Sequence, residues 1–244
     1  MPHLFTNRPR LHSLTRDRTD LRSHLLWETI NAVFYKIGGI VFIIGSVLFF
    51  PALDKYADWG AWTFFFGSLI YLVVTVHDLA EVGKHFLSTE NRPLDSLLEC
   101  IAALSYVSGT VLFTIGSVFF LSAVGWFHKG AWCFIVGSLC FVVGAGINVL
   151  QIVQSRSILT LQLMNLTAVT FVVGSVLFSV ASVPYLWKVT DQRLLVTLDT
   201  FLAWQYLVGS ILFFTGGVFN YWRALVVVRE MSEALPALDA KVPG

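Results

Sequence analysis

Phe42-Ile43-Ile44-Gly45-Ser46-Val47-Leu48-Phe49 and, one short turn later, Ala61-Trp62-Thr63-Phe64-Phe65-Phe66-Gly67-Ser68 decide the fold. Neither stretch holds a charge, and each sits inside a longer uncharged run, residues 37–53 and 59–77. Four more such runs follow at 101–127, 131–155, 157–187 and 200–222. A bilayer core about 30 Å thick needs about 20 apolar residues of helix, and most of these runs supply that. The first is the shortest, so Lys36 at its edge is expected to reach back to the lipid headgroups.

Both opening patterns recur. Phe-x-x-Gly-Ser-Val-(Leu/Phe)-Phe stands at 42–49, 113–120 and 171–178; Ala-Trp-x-(Phe/Tyr)-x-x-Gly-Ser stands at 61–68, 131–138 and 203–210. Every Gly-Ser dipeptide in the chain falls in one of these: Gly45-Ser46, Gly67-Ser68, Gly116-Ser117, Gly137-Ser138, Gly174-Ser175 and Gly209-Ser210. One dipeptide per uncharged run is a repeat, and a repeat governs the architecture. The fold class expected is therefore all-α integral membrane: six transmembrane helices as three tandem helical hairpins in parallel orientation. The glycines of each pair lie 22, 21 and 35 residues apart, which predicts a longer turn in the third copy.

Composition agrees. Of 244 residues 56% are hydrophobic and 13% charged, about half the charged share of a soluble domain. Net charge is +1, which points to no nucleic-acid partner; the partner implied is the lipid bilayer. Arg8, Arg10, Arg16, Arg18 and Arg22 precede the first run, and Lys84, Arg92, Arg156, Arg223, Arg229 and Lys241 share their side. Only Lys55, Lys129, Lys188 and Arg193 lie opposite. The positive-inside rule then puts both termini in the cytoplasm, with the plasma membrane as the expected location. Trp59, Trp62, Trp126, Trp132, Trp187 and Trp204 fall near the predicted outer ends, as interfacial aromatics do.

Segments follow from these signals. Residues 1–30 are an arginine-rich cytoplasmic leader, 31–80 the first hairpin, 81–100 a cytoplasmic connector and 101–151 the second hairpin. The third hairpin spans 158–228 with an extended outer turn at 184–200, and 229–244 is a cytoplasmic tail.

The Gly-Ser pairs are read as helix-packing residues. Lipid gives helices no hydrophobic reason to associate, so close approach at glycine and hydrogen bonds from serine must do it. All six pairs are expected at one depth, about 10 Å below the outer surface; a constriction lined by the serines is the functional alternative. Eleven residues after each even-helix glycine comes a polar residue, Asp78, Asn148 or Asn220, and three further on Glu81, Gln151 or Arg223. Helix termination and interhelical bonding account for these six; the alternative is an inner vestibule. At about 100° per residue, His77 is expected to point away from Asp78 and to be interfacial.

No motif for catalysis, cofactor or metal emerges. Cys100, Cys133 and Cys140 lack paired spacing, and the histidines form no ligand pattern in sequence, so the expectation is no enzyme, no cofactor and no metal.

The pairing of Ile44-Gly45-Ser46-Val47-Leu48-Phe49 with Trp62 to Ser68, and of Ile115 to Phe120 with Trp132 to Ser138, resembles the YrhK-like family of small membrane proteins. The resemblance extends over roughly residues 31–228, more loosely in the third copy. It implies a two-helix unit, supplies no catalytic residue, and is consistent with single-unit members assembling as oligomers. The function expected is a non-enzymatic scaffold or assembly protein, with a homo-oligomer or another membrane protein as partner. The alternative is a small-solute or ion channel or transporter formed by three pseudo-equivalent hairpins.

Overall fold

The computed structural model describes residues 18–88, 94–150 and 157–239. Arg8, Arg10, Arg16, Arg92, Gln151, Arg156 and Lys241 lie outside the described residues. Among the described residues there are six α-helices: α1 (Arg18–Leu48), α2 (Ala57–Ser88), α3 (Leu94–Phe119), α4 (Phe127–Leu150), α5 (Ile158–Ser182) and α6 (Gln192–Asp239). Each contains a segment long and apolar enough to cross a membrane.

The helices overrun the bounds that charge suggests. α1 begins inside the leader 1–30, α2 and α3 both enter the connector 81–100, and α6 takes in residues 192–200 of the expected turn and much of the tail. The reason is that a charge ends a membrane span without ending a helix. Glu, Lys and Arg are good helix formers, and the backbone keeps its own hydrogen bonds past the bilayer edge.

The turns have local causes. Pro51 is the first residue of one short 3₁₀ segment, Pro51–Tyr56, and Pro184 the second of another, Val183–Leu186, positions where the missing N–H costs nothing. Between α3 and α4, Gly125 adopts φ +65° and its N–H bonds the carbonyl of Leu121, the left-handed stop that glycine allows. Asp58, in the first turn of α2, accepts from both the backbone N–H and the hydroxyl of Ser122, tying two turns together.

Each helix packs on its neighbours in the chain, and α1 closes against α6, so the six form a ring. Ser46 Oγ and Ser210 Oγ meet at 2.9 Å across that closing contact. The Lys36 ammonium also spans it, lying 4.4 Å from the Tyr221 ring centre instead of extending only toward headgroups. Branched aliphatics such as Val33, Ile40, Ile44, Val73, Leu104 and Val169 are exposed around the outside. Phenylalanine, tyrosine, alanine and serine fill the inside. In lipid, packing shape and not apolarity decides which face turns inward, which explains this sorting.

Candidate functional site

The small residues make room for rings. A Cβ added at Gly67 would lie 2.7 Å from Phe42, one at Gly137 2.8 Å from Phe113, and one at Gly209 2.8 Å from Phe178. From the opposite helix, a Cβ added at Gly45 would lie 2.7 Å from Phe64 and one at Gly116 2.8 Å from Phe134. These pairings descend α1 or α3 as they ascend its neighbour, so the two run in opposite directions. Ser46, Ser68, Ser117, Ser138, Ser175 and Ser210 are all buried. Ser46, Ser117 and Ser175 each donate to the carbonyl four residues back at 2.8 Å, whereas Ser68 and Ser138 have no hydrogen-bond partner.

The rings admitted by those glycines meet on the axis. Phe42, Phe113 and Phe178 form one triangle, with centroids 6.4, 5.6 and 6.1 Å apart. Phe64, Phe134 and Tyr206 form a second, at 6.1, 6.3 and 6.1 Å. The triangles touch through Phe113–Phe134 at 4.8 Å and Phe42–Phe64 at 4.8 Å. Phe49, Phe120 and Tyr185 lie beyond them toward the turns, with Phe120 5.0 Å from Tyr185. Such contacts contribute about 0.5–1.5 kcal/mol each beyond area burial. On the other side of the triangles, a cavity of about 20 Å³ is bounded by Phe42, Phe113, Phe141, Phe213 and Ser68. That is room for one water-sized molecule. Aromatic rings occupy the axis between the serines, and Ser68 borders the small cavity.

The expected common depth of all six Gly-Ser pairs needs correction. In the first triangle, Phe42 and Phe113 stand three residues before Gly45 and Gly116, but Phe178 stands three residues before Ala181. Gly174 instead abuts Phe213, as Gly38 abuts Tyr71 and Gly109 abuts Phe141. Gly174-Ser175 thus lies one heptad, about 10 Å, further from the turns. Ala181-Ser182 takes the level of Gly45-Ser46 and Gly116-Ser117, and Ser182 donates to the Phe178 carbonyl and meets Tyr206 Oη, each at 2.8 Å. The signal was in the sequence: Phe178-Ser179-Val180-Ala181-Ser182-Val183 repeats Phe171-Val172-Val173-Gly174-Ser175-Val176 seven residues on, with alanine for glycine.

The second polar position lies inside the bundle. Asp78, Asn148, Asn220 and Arg223 are all buried. Asn148 donates from Nδ2 to Tyr106 Oη at 2.8 Å, an interhelical bond between α3 and α4. Asp78 sits about 30 Å along α2 from its first residue, about the thickness of a bilayer core.

Here a second correction arises, because His77 does not diverge from its neighbours. Its Nε2 lies 3.7 Å from Glu81 Oε1, and its Nδ1 lies 3.5 Å from Asn31 Nδ2 on α1. One ligand-type atom from each of His77, Asp78 and Glu81 falls within 4.8 Å of the others. A 100° step separates Cβ directions, but long side chains at one helix end can still converge. Sequence spacing missed this cluster because the motif is one residue of each type instead of a repeated ligand.

Residues 26–82 and 96–153 match the family model described as YrhK-like protein. The two matched stretches take in most of α1–α2 and of α3–α4; residues 158–228, which also carry the sequence pattern, fall outside them. In that region the Gly-Ser motif of α5 is displaced by a heptad, and the expected long turn is absent: residues 183–191 between α5 and α6 are only one more than residues 49–56 between α1 and α2. No curated protein and no solved structure matches the chain.

Proposed function

We propose, from the premise that residues 26–82 and 96–153 are YrhK-like, that this chain is a multi-pass, non-enzymatic scaffold or assembly protein of the bilayer. It is built from three copies of one helical hairpin. The observation that carries the reading is the filled axis: two stacked aromatic triangles whose rings stand 5.6–6.4 Å apart leave no aqueous path. Each triangle draws one ring from α1–α2, one from α3–α4 and one from α5–α6, which supports the three-copy arrangement. A protein that spends its interior on rigidity presents a fixed outer face, and the partner is a second copy or another membrane protein. The charge asymmetry between loops supports cytoplasmic termini in the plasma membrane.

The test is flux. Liposomes containing the purified protein should pass protons, monovalent cations and small neutral solutes no faster than empty liposomes. Saturable flux above that baseline would replace the scaffold reading with the channel or transporter alternative, which draws on the burial of Asp78, Asn148 and Asn220. Orientation is tested by fusing alkaline phosphatase and a fluorescent protein to each terminus and to residue 123. Activity of the phosphatase at either terminus would overturn the cytoplasmic assignment.

A further inference from the structure

We infer that His77, Asp78 and Glu81, supported by Asn31, form a binding site for one divalent first-row transition ion at the inner end of α2. The three side chains bring an imidazole nitrogen and two carboxylates within 4.8 Å of one another. Two ligands of a tetrahedral ion bound at about 2.0–2.2 Å stand roughly 3.4 Å apart. The His77–Glu81 separation, 3.7 Å, is already close to that, and small rotations of the acids close the rest. An imidazole beside two carboxylates suits manganese, iron or zinc better than magnesium or calcium, which take oxygen ligands alone. Three protein ligands leave coordination positions for water.

The repeated pattern supplies an internal control. Counting from Gly67, Gly137 and Gly209, the positions of His77, Asp78 and Glu81 are Ile147, Asn148 and Gln151 in the second copy, and Phe219, Asn220 and Arg223 in the third. The second copy keeps the shape of both acids as amides and loses their charge. Asn148 bonds Tyr106 there, so the structural task of position 78 is met without a carboxylate. Only the first copy combines two acids with an imidazole. An amide therefore serves the packing at that level in the second copy, and the carboxylates at 78 and 81 set the first copy apart.

Asn31 is the independent observation. It comes from a different helix, is 7% exposed, and holds its amide 3.5 Å from His77 Nδ1. A metal-bound imidazole donates its other N–H to an acceptor, and an amide turned by 180° offers its oxygen at the same place. That arrangement would leave Nε2, the nitrogen near Glu81, for the ion. His77 and Glu81 are 32% and 28% exposed, so the ion has an approach from the headgroup side.

The test uses the full chain in detergent with Mn²⁺ as probe and excess Mg²⁺ present. Free Mn²⁺ is followed by its six-line electron paramagnetic resonance signal, with Zn²⁺ added as competitor. The wild type should remove one Mn²⁺ per chain saturably, and Zn²⁺ should release it. His77→Ile, which copies the second hairpin, and Glu81→Gln should each weaken binding on the order of tenfold or more. Both positions are partly exposed, so these two variants should elute and melt like the wild type without metal. Asp78→Asn should do the same to binding and serves as a third arm if it folds. Absence of saturable Mn²⁺ binding in the wild type, or equal binding in His77→Ile and Glu81→Gln, would overturn the site.

Discussion

Replacing Gly137 by alanine adds one methyl group where the structure has none to spare. The new Cβ would stand 2.8 Å from Phe113 Cδ2 and 3.0 Å from the backbone oxygen of Gly109. Ordinary contact between heavy atoms is about 3.5–4.0 Å. The ring must therefore retreat by about 0.7 Å, and the carbonyl oxygen belongs to a helix and cannot turn aside. Phe113 in turn is fixed between Phe42, Phe134 and Phe178. Overpacking of this kind costs about 1–3 kcal/mol. Alanine also favours helix over glycine by about 1 kcal/mol, which blurs a single measurement. Gly146, nine residues on in α4, removes the ambiguity, since a Cβ there meets nothing within 4 Å. The propensity gain is common to Gly137→Ala and Gly146→Ala, so the difference between them isolates the packing term, about 1–3 kcal/mol. For a chain of this size that is roughly 3–10 °C in melting temperature. Purified variants in one detergent, heated in steps and scored by the surviving monodisperse peak, give the comparison. Gly137→Ala should melt lower than Gly146→Ala by that margin, and Gly137→Leu should not accumulate in the membrane. Equal melting of the two alanine variants would refute close packing at the Gly-Ser level.

Other consequences follow from the same contacts. Gly209→Ala should be coupled to Phe178→Leu by about 1 kcal/mol in a double-mutant cycle and uncoupled from Phe171→Leu; the reverse would restore the unshifted register of α5. Ser182→Ala leaves the Tyr206 hydroxyl without its 2.8 Å partner and should cost about 1–2 kcal/mol. Ser138→Ala removes no hydrogen bond and should cost less than half as much by the same melting assay. Asp58→Ala unties the two turns and should speed amide exchange at residues 119–126 with little change in melting temperature; unchanged exchange would show the tie carries nothing.

Much of the fold was legible because lipid simplifies the code. Uncharged length marks each span, and small residues mark contacts, so Gly45, Gly67, Gly116, Gly137 and Gly209 identified the helix faces that meet. What spacing could not supply was depth. Gly174-Ser175 matches its counterparts in sequence, yet Phe178 and not Phe171 completes the axial triangle. Alanine at position 181 does the work of glycine there, and a search for Gly-Ser passes over it. Helix ends were also hidden, because Arg18 and Glu230 leave the membrane without leaving the helix. At the candidate site, the repeat pointed to Asp78 and Glu81 but not to His77, whose convergence depends on side-chain reach and on Asn31 from another helix. A periodicity carries neither.

A covalent test of ring closure bears most directly on the central claim, that six helices close around an aromatic core. Ser46→Cys and Ser210→Cys, in a chain whose Cys100, Cys133 and Cys140 are replaced by alanine, place two sulfurs where hydroxyl oxygens stand 2.9 Å apart, within disulfide reach. A protease site inserted at residue 123 then separates α1–α3 from α4–α6. After mild oxidation in membranes and cleavage, the two halves should migrate as one species until reductant is added. Halves that separate without reductant, while the uncleaved protein remains folded, would contradict the closed ring and the filled axis built on it.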